Sequence, residues 1–156
     1  MTDDPDRMDE LRAEIDAVER SALRRVDPGN SAVLIAGAVM VLLLSTSLPW
    51  VGDASGWDVL HGAVDPADHV GLLPRLFAAV ALGLGVGLSA LALLTRRWGL
   101  VWASALGCGY CVLDGVWAIW SRQTAPGAGP GWGLLLAVLA VAVLAGAWFR
   151  LAMSRR

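Results

Sequence analysis

Asp114 is the one carboxylate inside the long apolar stretch 98–120. A charge placed in apolar surroundings is costly unless a partner or a function uses it, so an ionisable group at such a position is a candidate site. Counting back from Trp120 at the helical rise puts it about 9 Å from the end of the stretch. Arg75 opens the preceding apolar stretch on the same side and is the basic residue at similar depth. The expected arrangement is an intramembrane polar pair of Arg75 and Asp114. It either pins two helices together or centres a transport path.

Cys108-Gly109-Tyr110-Cys111 is a C-x-x-C. Thiol–disulfide chemistry requires a thiolate of low pKa, made by a helix N-terminus or a nearby cation. Here the pair lies mid-stretch among apolar residues, and the two cysteines are the only ones in the chain. Buried small residues on a packing face account for them better than a redox centre. Loop 51–70 holds Asp53, Asp58, Asp65 and Asp68 with His61 and His69. Their spacing fits no calcium loop, and a transition-metal set of the histidines with Asp58 or Asp65 is a weaker reading than an ordinary polar loop. No metal and no cofactor are expected. With no phosphate-binding loop, nucleophile elbow or H-E-x-x-H, the expectation is a non-enzymatic protein.

The elements that must position these groups are read from the apolar runs. Of 156 residues, 56% are apolar and 17% charged, against about 45–50% and about 25% in ordinary soluble domains. Charges cluster and leave four gaps, 31–49, 71–94, 98–120 and 131–149. Each approaches the roughly 20 helical residues a bilayer requires. None has the polar stripe of a soluble bundle helix. The expected fold is all-α: a polytopic membrane protein with four transmembrane helices in an antiparallel bundle over 28–156. Residues 51–70 form an outward loop, which lies over the polar pair as a lid, and 1–27 form a cytoplasmic amphipathic helix.

Orientation follows from arginine, since the chain has no lysine. Arg7, Arg12, Arg20, Arg24, Arg25, Arg96, Arg97, Arg150, Arg155 and Arg156 fall on one side, and Arg75 and Arg122 on the other. By the positive-inside rule both termini are cytoplasmic and the protein is multi-pass in the plasma membrane. Trp50, Trp57, Trp120 and Trp132 then form an outer belt of interfacial anchors, with Trp98, Trp102 and Trp148 near the inner one.

Ala103, Gly107, Cys111 and Gly115 recur every four residues and predict a close helix contact, with the G-x-x-x-G of Gly83 and Gly87 as the opposing surface. At the N-terminus Met8, Leu11, Ile15, Val18 and Ala22 form a narrow apolar seam. Like charges flank that seam and disfavour a parallel homodimer. It is therefore read as a partner-binding face for another protein, for the chain's own bundle or for the membrane surface. The partners expected are a lipid bilayer and a protein, with a homo-oligomer also compatible. A formal charge of −2 offers no basic surface for phosphates, so no nucleic acid is expected.

The acidic and Arg-rich helix 8–26, Leu48-Pro49-Trp50 and Gly56-Trp57-Asp58-Val59-Leu60 together resemble small conserved four-span membrane proteins of mycobacteria and related actinobacteria whose function is unassigned. The resemblance implies fold and compartment only. The function expected is a membrane accessory or scaffold protein of a larger bacterial envelope complex. A small oligomeric transporter or channel component centred on Asp114 and Arg75 is the alternative, although the first stretch lacks the carboxylate of small four-span exporters. A membrane thiol oxidoreductase using Cys108 and Cys111 is the third.

Overall fold

A computed structural model describes residues 11–16 and 29–154. Residues 11–16 form a helical segment, α1, on which Leu11 and Ile15 are exposed. The rest of the expected N-terminal seam, Met8, Val18 and Ala22, lies outside the described residues.

Seventeen residues without a charge make up α2, Gly29–Ser45. Its end is written in the residues that follow. The hydroxyls of Ser45 and Thr46 fold back onto the carbonyls of Leu42 and Leu43, each at 2.6 Å. Pro49 then has no N–H to continue a ladder. The chain turns into a short antiparallel hairpin, β1 (Pro49–Val51) and β2 (Ala54–Ser55), with Gly52 at φ 55° in the turn.

Ser55 caps a six-residue helix, α3 (Gly56–His61), in a reciprocal box with Asp58, and Gly62 at φ 75° closes it. A left-handed residue after the last turn costs glycine nothing sterically. Asp65 then caps a 3₁₀ turn, Pro66–Asp68. The region expected as a plain loop is therefore a hairpin, a helix and a turn, the last two each with its own cap.

Three long helices complete the fold. The first, α4 (Leu72–Thr95), is α-helical at both ends and winds as a wider π-helix over Ala81–Leu88. Arg96 in the left-handed region reverses the chain into α5 (Trp98–Thr124), and α6 (Trp132–Met153) follows. By length and composition these three could cross a membrane, whereas Gly29–Ser45 is a shorter apolar helix. α6 packs against both α5 and α2, and α4 packs along α5. Ile35, Leu42, Phe77, Val101, Leu134, Val141 and Leu144 form the core between them.

Small residues set where the helices approach most closely, but in a different phase from the one expected. Gly83 and Gly87 are exposed, and a Cβ added at Gly83 would meet nothing within 4 Å. The buried stripe of α4 is Ala81, Gly85 and Ser89. A Cβ at Gly85 would come to 2.9 Å from Leu42 Cδ2. Opposite them, Gly107 faces Leu84 and Leu88, while a Cβ at Gly115 would come to 2.7 Å from Val138 Cγ2. Cys111 and Gly115 are buried, and Ala103 and Gly107 are half-buried.

The tryptophans also divide differently. Trp50 and Trp148 are fully enclosed, so neither is an interfacial ring. Trp148 reaches from α6 to donate its indole N–H to Ser89 Oγ at 2.9 Å. Trp57, Trp98, Trp120 and Trp132 are exposed. Trp102 is half-buried and meets Trp98 and Phe149 edge to face.

Candidate functional site

α5 presents one buried face built at four-residue steps from Asp114, Ala118 and Arg122, with Cys111 and Gly115 beside it. Asp114 is 1% exposed, and its Oδ2 has no hydrogen-bond partner among the described residues. Burial raises its pKa because the carboxylate loses water without gaining a cation.

Arg75 does not supply that cation. It is exposed, and its guanidinium rests against Gly62 at the end of α3, where a Cβ would meet Nη2 at 2.9 Å. The two residues expected as a pair are thus held apart. The long Arg75 side chain follows the helix end in front of it, where carbonyls point outward and a positive charge is favourable.

The cysteines are free and wholly buried. Cys111 Sγ donates to the Val80 carbonyl at 3.6 Å, and Cys108 Sγ lies 4.0 Å from Ser89 Oγ. Burial, with Cys108 and Asp114 nearby, pushes the Cys111 thiol up to about 12. Burial likewise raises Cys108. A thiol in that state is a packing group, not a nucleophile.

Arg122 is the functional-looking residue that sequence reasoning passed over. It is 2% exposed, and its fork donates to two loop carbonyls, His69 O at 3.3 Å and Ala128 O in a short contact. Its Nε has no partner. The side chain clasps the 51–70 region to the connection between α5 and α6. Around it, Gly127 packs on the backbone of Asp68, Val51 bridges Pro130, and the Gly131 N–H donates to the Trp50 carbonyl at 2.8 Å. The signal available was position alone: an arginine on the side of the chain where arginine is scarce.

Three of the six loop carboxylates and histidines are engaged in local structure. Asp58 closes the α3 cap, Asp65 accepts from the Ala67 N–H, and His61 Nδ1 is 2.8 Å from the Trp57 carbonyl. Among the described residues, no group of three or more His, Cys, Asp or Glu could hold a metal ion.

Against this geometry stands a comparison of sequence. The family described as MiaB C-terminal domain matches residues 12–156. The chain belongs to that family. A curated relative, the tRNA-2-methylthio-N(6)-dimethylallyladenosine synthase of Mycobacterium avium (strain 104), is 47% identical over 156 residues. The match covers 98% of this chain and 22% of that protein. No solved structure matches.

Membership overturns several expectations. The resemblance to unassigned four-span membrane proteins gives way to the MiaB C-terminal family, and the polytopic membrane bundle gives way to a helical domain of that family. Helices apolar on all sides occur in bilayers but also inside larger proteins, so composition alone did not decide between them. The envelope scaffold, the transporter and the thiol oxidoreductase fall with it, as do the plasma-membrane location and the lipid partner. The expectation of a non-enzymatic protein fails because the relative is a synthase. The exclusion of nucleic acid fails as well, because the relative's name is that of a tRNA-modifying enzyme. A charge of −2 on a chain spanning 22% of that relative's length is not the charge of the enzyme.

Proposed function

We propose that this MiaB C-terminal domain is a helical module in the synthesis of 2-methylthio-N(6)-dimethylallyladenosine in tRNA. The observation that carries the reading is the 47% identity to the M. avium synthase across 98% of the chain. The likeness runs through the whole domain and not through one short motif.

The role assigned is support and placement within a tRNA-modifying enzyme. Both cysteines are buried, and the described residues hold no candidate metal cluster. What the domain offers instead is a closely packed helical body with one clasped end, where Arg122 joins two connections.

The test is nucleoside analysis of total tRNA from host cells lacking this chain. Digestion followed by mass spectrometry gives the ratio of 2-methylthio-N(6)-dimethylallyladenosine to N(6)-dimethylallyladenosine. The ratio should fall on removal and recover when the full chain is returned. An unchanged ratio would overturn the proposal.

A further inference from the structure

Between α4, α5 and α6 the chain encloses a carboxyl group that no described residue neutralises. Asp114 is 1% exposed and its Oδ2 lacks any hydrogen-bond partner among the described residues. At the next position Gly115 leaves no room for a side chain: an added Cβ would come to 2.8 Å from Phe77 of α4 and 2.7 Å from Val138 of α6. One turn earlier, Cys111 is engaged with the Val80 carbonyl.

The surrounding elements hold few titratable groups. α4 has none between Arg75 and Arg96, α6 none before Arg150, and α2 none at all. On α5 itself, Cys108, Tyr110 and Cys111 precede Asp114, and Arg122 follows two turns later. Arg75 rests at Gly62, and Arg122 is turned to the carbonyls of His69 and Ala128. Among the described residues no cation is therefore placed to hold the carboxylate ionised. An unpaired charge in such a position is strongly disfavoured, and a carboxyl group escapes the penalty by keeping its proton.

We propose that Asp114 is a proton-binding site of the folded domain, held as the neutral acid at the α4–α5–α6 junction, whose deprotonation loosens that junction. The domain is thereby pH-sensitive independently of its part in tRNA modification. Burial raises the folded-state pKa of Asp114. The stability associated with its proton is fully present below the unfolded value and is lost as pH rises through the folded value.

The experiment compares the full chain with its Asp114→Asn variant, which keeps shape and removes the titration. Unfolding is followed from roughly pH 4 to roughly pH 9, a range spanning the ordinary and strongly raised carboxyl values. The variant's folding constant, relative to the wild type, should rise about tenfold per pH unit until the folded-state value is passed, then level off. A ratio that stays constant with pH would overturn the proposal. A second readout needs no unfolding. Between the ordinary carboxyl value and the folded-state midpoint found by that titration, the wild type should show the infrared carbonyl band of a protonated carboxyl group, absent from Asp114→Asn, and a wild type without that band would also overturn it.

Discussion

The indole N–H of Trp50 donates to the carbonyl of Ser45 at 2.8 Å, tying the hairpin back onto the last turn of α2. The ring is wholly buried and lies 5.5 Å from Phe77, centroid to centroid. Two glycines make room for it: a Cβ at Gly56 or at Gly133 would approach the ring to 2.7 Å. Trp50→Ala should therefore lower stability by about 3–5 kcal/mol, as large buried aromatics do when truncated. Trp50→Phe keeps most of the apolar contact and should lose less, with the missing hydrogen bond contributing about 0.5–1.5 kcal/mol. Denaturant unfolding of the two variants measures both.

The phase of the small-residue stripe is open to a paired substitution. Gly115→Ala brings a Cβ against Val138 and Phe77, so overpacking should cost roughly 1–3 kcal/mol. Gly83→Ala meets nothing within 4 Å and should instead stabilise the helix by about 0.5–1 kcal/mol, since alanine restricts the unfolded chain. Had Gly83 been the contact residue, the second change would destabilise. Thermal melting of the two variants gives the signs.

Asp58 provides a prediction on the acid side. The Ser55 hydroxyl donates to its Oδ2 at 2.6 Å and the Ser55 N–H at 2.9 Å, which holds the carboxyl below its ordinary range. A lowered folded-state value means that the cap stabilises α3 above the ordinary carboxyl value. That contribution disappears as pH falls through the lowered one. Ser55→Ala removes the hydroxyl donor, so the Asp58 midpoint should move up, as NMR titration of the side-chain carboxyl would show.

The long helices announce themselves as apolar runs with few charges: Arg75 on α4, Asp114 and Arg122 on α5, and Arg150 near the end of α6. The G-x-x-x-G spacing gave a period but not a phase: Gly83 and Gly87 have the pattern, while Ala81, Gly85 and Ser89 have the contact. Trp50 and Trp148 stand at the ends of apolar runs, where interfacial rings belong. Their burial depends on distant partners, Gly56 and Gly133 for one and Ser89 for the other. The α3 cap is readable in Ser55-Gly56-Trp57-Asp58, a local capping box, although a helix of six residues is too short to show an apolar period. Arg122 was counted only as a charge, because the two carbonyls it clasps lie on connections remote from it in sequence. Function was least legible, since the chain spans 22% of the length of the synthase it resembles.

The central claim is tested most directly by exchange. The segment of the M. avium synthase matched by this chain is replaced with residues 1–156, and the chimera is returned to cells lacking that synthase. The expected result is tRNA with 2-methylthio-N(6)-dimethylallyladenosine restored toward the native level, while the synthase with the segment deleted restores little. Full activity of the deleted synthase, or a chimera no better than the deletion, would contradict the account.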